Sequence, residues 1–186
     1  MELRDYQNED ARFLTSMPCS ACFNEQRTGK TPTALETIRL RNLIDEKILI
    51  ITTASSVTQW RDEYKRWLNK PCNVCIGTPK QKQKAVETWT HGLVISIDSF
   101  KETTSSKGLI EPILKKQPKQ IILDEAHKIK NPQSANAKAL FKTTKIPYRL
   151  ALTGTPAQGK PYDIFSILRF LFPVDFRGFW KFLENY

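Results

Sequence analysis

Apolar residues recur along the chain in two rhythms. Short continuous runs have the length and β-branched content of strands buried on both faces: Lys47-Ile48-Leu49-Ile50-Ile51, Leu93-Val94-Ile95-Ser96-Ile97, Ile121-Ile122-Leu123-Asp124 and Tyr148–Leu152. Between them, apolar positions return every three or four residues, as in helices with one inward stripe. Tyr6, Ala11, Phe13, Leu14 and Met17 predict a first helix that Pro18 ends. Ser20–Phe23 predicts a strand, and Thr31–Leu43 a helix with Ala34, Leu35, Ile38 and Leu40 inward. Ser55 or Ser56 is placed to cap a helix carrying Val57, Trp60, Tyr64 and Trp67, both tryptophans being read as core. A strand near Asn73–Ile76, helices at Pro79–Trp89, Ala135–Phe141 and Ile164–Leu171, and a last helix within Phe176–Tyr186 complete the pattern. Strand–helix alternation of this kind predicts an α/β fold with right-handed crossovers. Its mostly parallel central sheet carries helices on both faces and gathers binding groups at the carboxyl ends of its strands.

At 186 residues the chain is one domain, or one lobe of something larger. With 40% hydrophobic and 10% aromatic residues it has material for a core, which excludes a disordered or collagen-like chain. No stretch reaches the roughly 18 apolar residues of a membrane span. The charged opening Met1-Glu2-Leu3-Arg4-Asp5 lacks an apolar signal segment, so a cytoplasmic protein is expected. The net charge is +10, unevenly spread: residues 61–145 hold 17 basic and 8 acidic side chains, whereas residues 1–60 hold 7 and 8. A basic middle third fits a polyanionic partner, and it also fits a merely solvated face.

Four cysteines form two C-x-x-C pairs, Cys19/Cys22 and Cys72/Cys75. Zinc ribbons use such pairs on turns and closer together. Here both pairs run into strand-like sequence, where residues three apart point to opposite faces. Reduced core thiols are expected, and no zinc.

Candidate chemistry enters at Asn24-Glu25-Gln26-Arg27-Thr28-Gly29-Lys30-Thr31. The phosphate-loop pattern is G-x-x-x-x-G-K-[ST], and Asn24 stands where its first glycine belongs. Asn tolerates left-handed backbone better than most residues, so the loop is expected to survive the exchange. Gly29 admits a phosphate, Lys30 supplies a cation, the Thr31 hydroxyl can ligate Mg²⁺, and the following helix start favours anions. G-K-T on its own equally fits an ordinary turn and cap. Ile121-Ile122-Leu123-Asp124-Glu125-Ala126-His127 shifts the balance, because an apolar strand here delivers two carboxylates at its tip. Nucleotide hydrolases need one carboxylate to hold Mg²⁺ and a second to activate water.

These residues together resemble the first motor lobe of a superfamily-two helicase or translocase, in its Swi/Snf-type branch. Leu3-Arg4-Asp5-Tyr6-Gln7 is similar to that branch's L-R-x-Y-Q element. Thr53 to Trp60 resembles P-x-S-x-x-x-Q-W, with Thr53 for Pro, and Leu93 to Phe100 resembles the V-I-T-S-Y segment. His127-Lys128-Ile129-Lys130-Asn131 is similar to H-x-I-K-N, and Leu150 to Gln158 to L-x-L-T-G-T-P-x-Q, with Gly159 replacing a common Asn. Arg27-Thr28-Gly29-Lys30-Thr31 resembles compact bacterial and phage members.

The resemblance implies a RecA-like three-layer fold over residues 1–186, an N-terminal ATP-binding lobe with the second lobe absent. It implies ATP and Mg²⁺ as cofactors. Gln7 and Arg4 would hold the adenine; Glu25, Gln26, Arg27, Thr28, Gly29, Lys30 and Thr31 the phosphates; Thr31 and Asp124 the metal. Lys30 and Glu125 would be catalytic, Glu125 as general base. His127, Thr153 and Thr155 would couple the γ-phosphate to lobe movement. Double-stranded DNA, gripped without regard to sequence, would lie on Ser55, Ser56, Ser96, Ser99, Lys128 and Lys130. The opposite lobe, in the same chain or in trans, would supply the arginines worth roughly 10³–10⁵ in rate, so little hydrolysis is expected from this lobe alone. Two other readings stand beside this one: a single-strand-directed helicase lobe, and a DNA-binding or assembly module with a degenerate nucleotide site.

Overall fold

The apolar runs pair into one sheet in which every neighbouring pair of strands is parallel. A computed structural model describes residues 2–101, 108–157 and 159–185 of the chain. Its strands are β1 (Cys19–Cys22), β2 (Ile48–Thr52), β3 (Cys72–Cys75), β4 (Gly92–Ser96), β5 (Gln120–Leu123) and β6 (Tyr148–Leu152), in spatial order β1-β6-β5-β2-β4-β3. Alternate residues of each strand feed two separate cores. Ile48 and Ile50 pack with Ala34, Leu35 and Ile38 of α2 (Lys30–Leu40), and with Val57, Trp60 and Tyr64 of α3 (Val57–Leu68). Leu14 of α1 (Asp5–Thr15) closes that layer. Leu49 and Ile51 point the other way. There they meet Val86 of α4 (Pro79–Glu87), Phe100 of α5 (Ile97–Phe100), Ile113 of α6 (Ile110–Lys115), Leu140 of α7 (Ala135–Phe141) and Phe170 of α8 (Phe165–Leu171). A last helix, α9 (Phe179–Asn185), leans its Phe179 and Phe182 rings on Phe165. All five residues of β2 and of β4 are buried, and each such Leu, Ile or Val contributes about 1.5–3 kcal/mol.

The cysteines follow the same alternation. Cys19 and Cys75 lie in one core, Cys22 and Cys72 in the other. Burial pushes the Cys72 and Cys75 thiols up to about 12.

Two arginines staple the amino-terminal edge of the sheet. Arg149, opening β6, donates to the carbonyls of Phe170 (2.9 Å) and Leu171 (2.6 Å), the last turn of α8, and to Thr144 (3.0 Å) and Ile146 (2.7 Å). Arg41 donates to the carbonyls of Leu14 (2.9 Å) and Met17 (2.8 Å) and to Gln120 Oε1 (3.1 Å), stacked over Tyr148. That edge is committed to structure, and the candidate chemistry lies at the other one.

Several expectations shift. The first helix ends at Thr15, before Pro18, and buries Gln7, Ala11 and Leu14. Tyr6, Phe13 and Met17 are exposed because the inward positions at i, i+4 and i+7 begin with a polar residue. Leu40 is exposed too, at the frayed end of α2. Ile97 starts a helix rather than ending a strand: Ser96 Oγ accepts from the Ser99 N–H and caps α5. Helices α5 and α6 were not expected. Trp67 is only half-buried, its indole N–H turned back along the helix to Glu63 Oε2 (2.8 Å). Gln158 and the final Tyr186 lie outside the described residues. Among the described residues no helix is long and apolar enough to cross a membrane.

Candidate functional site

The carboxyl ends of β1, β6, β5, β2 and β4 stand side by side along one edge of the sheet. Strand β1 delivers the turn at Asn24–Gly29, β6 delivers Thr153-Gly154-Thr155, β5 delivers Asp124-Glu125, β2 delivers Thr52-Thr53, and β4 ends at Ser96. Since β1 and β5 flank β6, the G-K-T turn and the acidic tip face each other across one strand. A single cleft of about 580 Å³ lies between them, lined by Gln26, Arg27, Gly29, Lys30, Thr31, Asp124 and Glu125. Helix α3 closes its third side with Ser56, Gln59, Trp60 and Glu63.

The turn is shaped by local bonds. Gly29 has φ 80°, the left-handed geometry that lets α2 start abruptly. A β-carbon at Gly29 would displace the Gln7 amide and would be strained by the left-handed backbone. Gln7 Nε2 and the Tyr6 hydroxyl both donate to the Thr28 carbonyl (3.2 and 3.0 Å). The Thr28 hydroxyl donates to the Glu25 carbonyl at 2.8 Å. Lys30 Nζ donates to the carbonyls of Asn24 (2.9 Å) and Glu25 (2.7 Å), which holds the ammonium over the turn.

Asn24 does not use left-handed backbone. Among the described residues, that geometry falls on Arg27 (φ 65°) and Gly29 in this turn. Asn24 is instead fixed through its side chain, which donates to Asp10 Oδ2 at 2.6 Å. An L-residue in left-handed geometry costs about 1–2 kcal/mol, partly offset by the extra chain entropy that glycine loses on folding. Arg27→Gly is therefore expected to stabilise the chain by about 0.5–1 kcal/mol; thermal melting checks this, and a lower melting temperature contradicts it.

At the acidic tip, Glu125 also has left-handed backbone, φ 51° and ψ 49°. In a continued strand, Asp124 and Glu125 would point to opposite faces. The reversal at Glu125 brings both carboxylates to one cleft. Asp124 Oδ2 accepts from the Thr52 hydroxyl and from the Trp60 indole N–H, each at 2.8 Å. Among the described residues, its Oδ1 and the Thr31 hydroxyl have no protein partner. Two hard oxygen donors on one cleft suit Mg²⁺, which keeps several waters and takes few protein ligands. His127 Nδ1 lies 3.2 Å from Glu125 Oε2 and 3.1 Å from Thr153 Oγ1, and Thr153 Oγ1 in turn accepts from the Thr155 N–H (3.1 Å). Gly154 lies against Gln26 and the Asn24 carbonyl. The three predicted coupling residues thus form one chain of contacts from the acidic tip to the G-K-T turn.

Not every predicted site residue lines the cleft. Glu25 and Thr28 close the turn through their carbonyls, and Arg4 caps α1, its N–H donating to Gln7 Oε1 (3.0 Å). Gln7 is buried, with both ends of its amide engaged.

Of the predicted DNA residues, Ser55, Ser56, Ser96 and Ser99 fall on the β2–β4 half of the same edge, whereas Lys130, beyond β5, lies beside α8, its carbonyl accepting from the Ser166 hydroxyl (3.2 Å). Registry pairs Thr52 with Ser96, so the segments that follow β2 and β4 are neighbours. A 3-10 turn at Ala54–Ser56 precedes α3, and the Ser55 and Ser56 hydroxyls bond to Thr53 Oγ1 (3.1 and 3.0 Å). Neither serine hydroxyl caps α3: Ser56 already has helical backbone (φ −97°, ψ −5°) after the tight entry turn, and the first amides of α3 have no side-chain cap. Ser96 and Ser99 are bonded to each other (2.9 Å), and Lys82 Nζ donates to Ser99 Oγ at 2.8 Å. Lys128 and Lys130 are exposed after β5. Sequence reasoning missed Lys82, Thr52 and the N–H of Trp60, which are ordinary residues until the fold sets them beside the motifs.

A family model described as the SNF2-related domain matches residues 6–186. The SWI/SNF chromatin-remodeling complex subunit snf22 of Schizosaccharomyces pombe is 27% identical over 98% of this chain, which spans 11% of that protein. Helicase swr1 of Schizosaccharomyces pombe is 31% identical over 92% of the chain, which spans 14% of it. Among solved structures, the SWI2/SNF2 ATPase core of Sulfolobus solfataricus, in complex with double-stranded DNA, matches the whole chain with a TM-score of 0.78 at 23% identity. The chain spans 39% of that core. This likeness identifies the architecture as the RecA-like α/β fold, with the six-stranded sheet parallel throughout.

Proposed function

Because the chain belongs to the SNF2-related domain family, we propose that it is the first motor lobe of an ATP-driven enzyme that moves along double-stranded DNA. The observation that carries the reading is the shared cleft: Gly29, Lys30 and Thr31 line it together with Asp124 and Glu125. Lys30 would exchange its two carbonyl partners for phosphate oxygens, and Thr31 and Asp124 would hold the metal. Magnesium held there would supply charge neutralisation to the phosphate oxygens. Glu125 orients the attacking water and takes its proton. His127 and Thr153 then pass a change at Glu125 to the β6 turn. Gln7 and Arg4 serve the adenine, which requires the Gln7 amide to exchange a present partner for the base. The lobe works against a second RecA-like lobe, from the same protein or in trans, whose arginines complete the phosphate site, and it works inside the cell.

DNA follows the neighbouring half of the edge. The uncapped start of α3 at Ser55 and Ser56, with Ser96, Ser99, Lys82, Lys128 and Lys130, offers amides, hydroxyls and cations to a phosphate backbone. The Sulfolobus core was solved on duplex DNA, which favours a duplex over a single strand. Isothermal titration of Mg·ATP, with and without a duplex of about 20 base pairs, tests both halves. One nucleotide site and duplex binding that weakens steeply with salt are expected. Heat from DNA but none from Mg·ATP would leave a DNA-binding module and defeat the motor reading.

A further inference from the structure

We propose that Trp60 is a positioning residue for the metal site: with Thr52 it pins one oxygen of Asp124 and so presents the other to the cleft. This rests on the nucleotide reading above. Both donors converge on Oδ2, the indole N–H and the Thr52 hydroxyl each at 2.8 Å. They come from different elements, Thr52 from the end of β2 and Trp60 from the first turn of α3. The Asp124 backbone is fixed to β2 as well, its N–H donating to the Ile51 carbonyl at 2.8 Å. Asp124 is therefore held at three points, two on its carboxylate and one on its backbone.

Burial makes the arrangement stiff. Trp60 is 2% and Thr52 1% exposed, so neither donor can turn to water if Asp124 rotates away. A buried donor left without a partner forfeits its desolvation cost uncompensated, and rotation would leave two such donors. Such outer partners orient metal-binding groups and restrict which oxygen is offered. Packing alone does not explain the bond, because a purely apolar side chain could occupy the core without burying an N–H that needs an acceptor. Trp67, on the same helix, shows the contrast: its N–H goes to Glu63 one turn back along α3 and not to the Asp124 carboxylate. Thr53, next to Thr52, holds the Ser55 and Ser56 hydroxyls. The acidic tip and the entry to α3 consequently form one bonded block.

The test is isothermal titration of ATP into the 186-residue chain, once in Mg²⁺ and once in EDTA, for the wild type, Trp60→Phe and Thr52→Val. Circular dichroism melts establish that each variant is folded. Affinity in EDTA is expected to stay within about twofold, while the gain conferred by Mg²⁺ falls about 10-fold or more in both variants. A merely structural role would lower both affinities together, and that outcome overturns the proposal, as does an undiminished magnesium gain. Should Trp60→Phe not fold, Thr52→Val, which removes the companion donor with little change in volume, decides alone. A wild-type chain with no magnesium gain would defeat the nucleotide reading and this proposal with it. A wild-type gain that survives in the variants defeats this proposal only.

Discussion

Replacing Lys30 with alanine is expected to weaken Mg·ATP binding by the 186-residue chain about 100-fold. The ammonium already stands at the turn, 2.9 and 2.7 Å from two backbone carbonyls, so its approach to phosphate requires exchange of partners rather than rebuilding of the loop. Hydrogen bonds to charged groups contribute about 1.5–3 kcal/mol each, and about 2.7 kcal/mol corresponds to the expected loss. Stability should change little, because the Glu25 carbonyl lies at an exposed position where water replaces the lysine. Titration calorimetry and a melting curve on the same preparation check both statements. Wild-type affinity in Lys30→Ala would remove this turn from the binding site.

Glu125→Gln separates binding from chemistry. Glutamine has nearly the same shape, tolerates the same backbone and can keep a hydrogen bond to His127, but it cannot take a proton from water. Affinity for Mg·ATP is expected to stay within about threefold, while turnover falls about 10²–10⁴-fold, the range a positioned general base contributes. The measurement is single-turnover hydrolysis with saturating duplex DNA, in the protein that carries both lobes. A drop below about tenfold would assign water activation to another group.

The two variants probe the part of the site that is legible without coordinates. Gly29-Lys30-Thr31 and Asp124-Glu125 stand out because each carries a local device: a helix start behind a glycine, and a strand that ends in acid. Other readings failed where a residue's role depends on its neighbours. Asn24 suggested left-handed backbone, yet the turn takes that geometry at Arg27 and Asn24 is held by Asp10 from α1. Tyr6 is counted with the apolar positions of the first helix, yet the buried position there is Gln7, set against Gly29. Ser55 and Ser56 had the composition of a helix cap, but the 3-10 entry turn gives their hydroxyls to Thr53.

Periodicity along the chain suffices for the alternation of strands and helices, because a side chain's face is set within one or two turns of its own backbone. It suffices as well for the split of each cysteine pair between two cores. Strand order, by contrast, requires contacts far apart in sequence: β6 lies between β1 and β5, and that placement alone brings Thr153 and Gly154 between the G-K-T turn and the acidic tip. The pinning of Asp124 by Trp60, 64 residues away, belongs to the same class. Nothing in the neighbourhood of either residue encodes the bond; it exists because packing α3 onto β4 and β3 leaves one buried N–H facing one carboxylate, and burial forces the two to meet.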